Sequence, residues 1–162
     1  NNIFFELEIL NKSNKPMPFG FGIHPYFNFS DKVKLKFCAQ REWVGSPEEF
    51  PIKTKIIENN FDYKKGSELW KELKTICYEN FYEEIEIFWL SNRKKLKIKT
   101  DKIFKHLIIH VPENANYFCV EPVSHPTDGF NLAYKNIENI NCDVLMPNEK
   151  IKGLIKFEID NF

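Results

Sequence analysis

Y-F-C-V-E-P-V-S-H-P-T-D-G-F-N, Tyr117 to Asn131, joins two kinds of sequence. Tyr117, Phe118, Cys119 and Val120 are aromatic, thiol and β-branched residues of strand type. Pro122 cannot donate to a β-ladder, so the strand is expected to stop at Glu121. Pro126 and Gly129 are expected to keep the chain beyond it irregular, displaying Ser124, His125 and Asp128 on loop backbone. A carboxylate at a strand end above a polar loop is a candidate for acid–base chemistry; the plain alternative is a solvated Glu before a turn.

The segments around this stretch carry the same β signal. Ile3 to Leu10 alternates, with Ile3, Phe5, Leu7 and Ile9 on one face and Glu6 and Glu8 on the other. Asn11 to Pro16 is turn chemistry. In Met17 to Phe27 two glycines alternate with Phe19, Phe21 and Ile23, which reads as a strand placing His24 on the glycine face with open space beside it. Lys32 to Phe37 alternates lysines against Val33, Leu35 and Phe37. Trp43 to Pro51 reads as loop, Ile52 to Ile57 as a strand, and Gly66 to Leu73 as two turns of helix capped by Ser67. Glu84 to Leu90 and Lys95 to Thr100 form an expected hairpin across S-N-R-K. Leu107 to Val111, Tyr117 to Glu121, Asn141 to Met146 and Gly153 to Ile159 complete a series of short strands, the pattern of an all-β antiparallel sandwich. No repeat, low-complexity run or charge block divides it, so residues 1–162 are expected to form a single β-sandwich domain.

Composition narrows the function classes. The chain of 162 residues is 43% hydrophobic with sixteen Phe, ample material for a core. Lys plus Arg and Asp plus Glu stand at 23 each, which gives no field favouring nucleic acid or an anionic membrane. No apolar run is long enough to span a bilayer and no signal-peptide succession is visible. Cys38, Cys77, Cys119 and Cys142 are widely spaced, with no C-x-x-C and no Cys/His cluster of zinc spacing, so no metal site is expected. Reduced, structural cysteines fit a cytoplasmic location. No P-loop or Rossmann glycine pattern supports a nucleotide cofactor, and no cofactor is expected. The serines lack a G-x-S-x-G context.

P-M-P-F-G-F-G-I-H-P-Y-F at Pro16 to Phe27, joined downstream by F-C-V-E-P-V-S-H-P-T-D-G-F-N, resembles the aldose 1-epimerase (galactose mutarotase) family. N-K-S-N-K-P at Asn11 to Pro16 is similar to that family's N-x-S-x-x-P, and V-L-M-P-N-E near Val144 to its L-x-P-G-E turn. The resemblance implies the C-terminal part of a mutarotase-like supersandwich. The family's upstream half, which brings an arginine and another histidine to the sugar pocket, has no counterpart here, and residues 1–162 are expected to be completed by it as a second chain or an upstream segment.

The resemblance also assigns roles. His24, in H-P-Y-F, becomes the general acid at the ring oxygen of a pyranose, and Glu121, in V-E-P, the general base at the anomeric hydroxyl. Read as residues alone, His24 and Glu121 could each be ordinary polar groups, and His106 and His110 are expected to be satisfied ones. Tyr26 and Phe27 beside His24 are candidates to stack on a sugar, and His125 and Asp128 to line or hold the loop. Many relatives carry a leucine-aspartate pair that binds sugar hydroxyls; Leu73 to Tyr78 has no carboxylate at that point, so either Glu79 serves instead or hydroxyl recognition differs and the substrate is not galactose. The expected activity is interconversion of the α and β anomers of an aldohexose without metal or cofactor. The competing readings are a non-catalytic carbohydrate-binding module and a hexose-6-phosphate mutarotase, which would need cationic groups that Arg41 and Arg93, remote from the motifs, do not obviously supply.

Overall fold

The computed structural model describes residues 1–29, 32–45, 53–57, 63–82, 84–135 and 143–162. Its strands are β1 (Asn2–Leu10), β2 (Met17–Pro18), β3 (Tyr26–Asn28), β4 (Val33–Lys36), β5 (Arg41–Val44), β6 (Lys53–Ile56), β7 (Ser67–Glu68), β8 (Lys74–Glu79), β9 (Glu84–Trp89), β10 (Lys94–Thr100), β11 (His106–Val111), β12 (Tyr117–Val123), β13 (Val144–Leu145) and β14 (Lys150–Asn161). One short helix, α1 (Gly129–Tyr134), comes after β12, and a 3-10 turn covers Tyr63–Lys65. The strands form two six-stranded sheets, β1-β14-β10-β9-β4-β7 and β3-β12-β11-β8-β5-β6, with β13 and β2 paired separately. The fold is an antiparallel β-sandwich.

Alternation in the sequence becomes burial in the sandwich. Val33, Leu35, Ile85, Ile87, Ile98 and Ile155 from the first sheet meet Leu107, Ile109, Phe118 and Val120 from the second in one core. Each such side chain taken from water stabilises the fold by about 1.5–3 kcal/mol. The expected hairpin forms with Leu96 opposite Ile87 and Ile98 opposite Ile85, so the inward residues of both strands share a face. On the outer face of the same sheet Glu86 is buried beneath Lys36 and Lys95, which hold its carboxyl below the usual range although burial alone would raise it.

Several expectations fail for identifiable reasons. Gly66 to Leu73 is not helical: Ser67 and Glu68 pair with Lys34 and Leu35 at the sheet edge, and Leu69 enters the core with its N–H bonded to the Val33 carbonyl. Packing and ladder hydrogen bonds thus override a weak local propensity. Trp43 and Val44, expected in a loop, complete β5, while Ser46 to Pro51 lie outside the described residues. The strand expected at Asn141 to Met146 contracts to β13, and Asn141 and Cys142 lie outside the described residues. β12 does not stop at Glu121. It runs through Pro122 to Val123, because the Pro122 carbonyl accepts from Ile23 on the side away from β11, and a missing N–H on that side breaks no strand ladder. The loop after it is less irregular than expected, since Gly129 opens α1 instead of disrupting it.

No helix among the described residues is long and apolar enough to cross a membrane.

Candidate active site

The second sheet has one face in the core and another that carries polar groups. Alternation along β12 turns Phe118 and Val120 into the core and sets Tyr117, Cys119, Glu121 and Val123 on the opposite face. Across the ladder, Val123 pairs with His106, Glu121 with Ile108 and Cys119 with His110; on β8 these meet Glu79, Cys77 and Thr75. The loop from Ser124 folds back over part of this face. Leu132 of α1 packs with Trp43, Cys77 and Ile108 in a second, small core. Coverage of the β11, β8 and β5 side leaves the β12 and β3 side accessible, and Glu121 lies at that boundary.

His24 is delivered to the same place by backbone contacts. The segment Phe19 to Ile23 is not a regular strand: only Gly22 bridges to Val123. Phe21 N–H donates to Ser124 Oγ at 3.0 Å, Ser124 N–H donates to the Phe21 carbonyl at 2.9 Å, and Ile23 N–H donates to the Pro122 carbonyl at 3.3 Å. The space beside the glycines is filled by the protein itself. A Cβ at Gly20 would lie 1.6 Å from the His125 ring, and one at Gly22 would lie 2.5 Å from Val123 Cγ1 and 2.6 Å from the Pro122 carbonyl oxygen. The glycines therefore serve close packing of this segment on the end of β12, not ligand space.

This packing sets His24 Nε2 at 3.3 Å from Glu121 Oε1, with the imidazole side chain 53% exposed and the carboxylate side chain 9% exposed. Burial pushes the Glu121 carboxyl up from its ordinary value, and the His24 charge opposes the rise. The His24 ring stacks on Tyr26 at 4.9 Å between centroids, and Tyr26 in turn touches Tyr117. Cys119, opposite Tyr26, is fully buried; burial and then the Glu121 charge push its thiol up to about 11. Among the described residues, the donor atoms of His24, Cys119 and Glu121 all lie within 4.8 Å of one another.

The other expected residues divide. Tyr26 belongs to the open face, exposed beside His24. Phe27 does not: one residue along β3, it points inward against Phe118, Trp89 and Phe157 and is a core residue. His125 lies over Gly20, with Nδ1 at 2.9 Å from the Pro126 carbonyl and its ring against Phe130. Asp128 takes a left-handed conformation at the start of α1 and accepts from Asn131, a local turn role. Ser124 is buried and holds the Phe21 backbone. Glu79 sits on the polar face two strands from β12, 2% exposed, with Oε2 lacking a hydrogen-bond partner. Burial raises its carboxyl pKa and Arg41, its neighbour in register, opposes this.

Arg41, remote from the motifs in sequence, thus stands in the same row as Glu79. His106 is less well satisfied than expected: it is fully buried, and neither ring nitrogen makes a hydrogen bond of normal geometry, the Ser124 backbone acting on it only weakly. Burial lowers its pKa to about 4. His110 meets expectation, with Nδ1 at 2.7 Å from the Thr75 hydroxyl. Cys119 is a site residue that the motifs do not single out, although period two from Glu121 places it on the same face.

The face thus holds an imidazole against a desolvated carboxylate, beside the exposed Tyr26 and the half-buried Tyr117, groups able to give and take a proton. The aldose 1-epimerase family model matches residues 1–158. The chain belongs to the aldose 1-epimerase family. No curated protein sequence matches it. Among solved structures, it is similar to a putative aldose 1-epimerase from Escherichia coli K12, at 18% identity and a TM-score of 0.86, covering 99% of this chain and 57% of that one. A galactose mutarotase-like protein from Clostridium acetobutylicum gives 17% identity and a TM-score of 0.81, covering 98% and 52%. An aldose epimerase homologue from Caenorhabditis elegans gives 14% identity and a TM-score of 0.78, covering 99% and 56%. At such identities these structures establish the fold. The chain spans little more than half the length of each.

Proposed function

We propose that this epimerase-family chain carries the acid–base pair of a mutarotase, with His24 and Glu121 interconverting the α and β anomers of an aldohexose. The observation that carries the reading is the 3.3 Å approach of His24 Nε2 to Glu121 Oε1 on a face open to a small ligand. Opening a hemiacetal removes one proton from the anomeric hydroxyl and delivers one to the ring oxygen. Closure on the other face of the carbonyl reverses both transfers. The buried carboxylate is the base: desolvation makes it more basic than a surface Glu, which suits proton abstraction near neutral pH. The half-exposed imidazole is the acid: it gives its proton to the ring oxygen as the ring opens and takes a proton back from that hydroxyl as the ring closes. After one turnover each group has recovered its starting state, because the ring closure protonates what the opening deprotonated.

In this reading Tyr26 stacks on the sugar's apolar face; Glu79, 2% exposed and two strands away on the covered side of the sheet, lies outside the open face and supports the site from beneath it. His125 and Asp128 act by holding the loop that carries Ser124 and, through it, the His24 segment. We further propose that the pocket is completed by the part of the fold that the solved structures contain beyond the span matched here. Polarimetry of freshly dissolved glucose or galactose tests the assignment. With the fold complete, Glu121→Gln should retain the fold and lose on the order of 10² or more in catalysed rate. An unchanged rate would remove Glu121 from the mechanism.

A further inference from the structure

We propose that His24, Cys119 and Glu121 form a binding site for a borderline-soft divalent cation of the Zn2+ class. The three side chains offer one nitrogen, one sulfur and one oxygen, within 4.8 Å of one another. Ligands at 2.0–2.3 Å around a tetrahedral Zn2+ stand roughly 3.3–3.8 Å apart. His24 Nε2 and Glu121 Oε1, at 3.3 Å, are already at that spacing. The spread of the three atoms exceeds that spacing by no more than about 1 Å, and His24, whose side chain is half exposed, is the ligand with most room to adjust.

The other two ligands need no rearrangement of the chain. Cys119 and Glu121 are two residues apart on one face of β12, and β12 is held by β11 over the whole of that stretch and by β3 at Cys119. Such a site is rigid where it should be rigid and mobile on one side only. A thiolate among the donors favours Zn2+ or Co2+ over Mg2+, which prefers oxygen. On binding, the thiol proton leaves to solvent as the metal–sulfur bond forms. Three protein ligands leave a fourth position, where water or a small anion would complete the tetrahedron.

Cation binding in this site is independent of the acid–base reading, since it concerns the chain without sugar. Where both hold, the metal occupies the very atoms the proton transfers require, and Zn2+ is an inhibitor rather than a cofactor.

Co2+ is the probe, because a tetrahedral cobalt–thiolate site shows a near-ultraviolet charge-transfer band and intense visible bands. Titrating the protein with Co2+ should give these bands at one equivalent, and Zn2+ but not excess Mg2+ should abolish them. Cys119→Ser should lose the charge-transfer band. His24→Ala, a change at an exposed side chain that the fold tolerates, should weaken binding by roughly 10–100-fold or more. Cys38→Ala should leave the spectrum intact. Absence of the band in the wild type, its persistence in Cys119→Ser, unchanged affinity in His24→Ala or its loss in Cys38→Ala would each overturn the proposal. None of these results bears on the Glu121→Gln rate, so the two readings fail separately.

Discussion

Burying a carboxylate costs less when it keeps its proton, and Glu121 is held between that cost and the attraction of His24. The same physics at His106 gives a prediction about stability. His106 is buried without a hydrogen bond of normal geometry at either nitrogen, so burial makes the neutral ring the one the fold accepts, and its pKa falls from 6.5 to about 4. Lys105 and His125 add to the penalty on its charged form, the Ser124 backbone offsets it in part, and Glu79 lies opposite on β8. Between these values the unfolded chain binds the extra proton and the folded chain does not. The His106 contribution is therefore fully present above pH 6.5 and is lost as the pH falls through this window toward 4. The loss amounts to about 3 kcal/mol at the acid end. Urea midpoints at pH 7 and pH 4.5 should show this slope, and His106→Leu should flatten it; equal slopes in the two proteins would mean that other groups carry the acid sensitivity. The poorly bonded imidazole is not legible in sequence, because hydrogen-bond partners are fixed by what the loop after β12 brings above it.

Elements differ in how far their own residues determine them. The β9–β10 hairpin and β4 are set by alternation, because a two-residue period and a buried face are properties of the segment itself; β1 keeps the period, with Leu7 and Ile9 half-buried and no residue buried. Gly66 to Leu73 and the loop holding α1 are not, since a sheet edge and the small core around Leu132 decide them from outside. The glycine-rich segment is intermediate: its need for glycine is legible, the reason is not. Phe27 falls to the core for a similar cause, as β3 begins only at Tyr26 and its inward face cannot be phased from Phe19 to Ile23. Gly22→Ala should test the packing reason. Its Cβ would meet backbone atoms of Pro122 and Val123 at 2.6 and 2.9 Å, which flexible side-chain motion cannot relieve. A loss of roughly 1–3 kcal/mol in thermal or urea denaturation is expected, together with loss of mutarotation as His24 is displaced. Full stability would show that the segment does not rest on β12 as described.

At the scale of the molecule, two motifs distant in sequence meet at the site, and the open face of the first sheet bears on the whole. β1 pairs only with β14 among the described residues, and Ile3 and Phe5 remain 45% and 36% exposed while Leu7 and Ile9 are half-buried. An apolar, regular edge strand of this length invites association. If further fold covers it, as we propose, residues 1–162 expressed alone should aggregate and lack mutarotase activity; light scattering and polarimetry on that chain would check both, and a soluble, fully active monomer would contradict it. The central claim, proton transfer by His24 and Glu121, is tested most directly by magnetisation exchange between the α and β anomeric protons of glucose at equilibrium, with the fold complete. Exchange accelerated by the wild-type protein and reduced on the order of 10² or more in Glu121→Gln is the predicted result; exchange equally fast in the variant would contradict it.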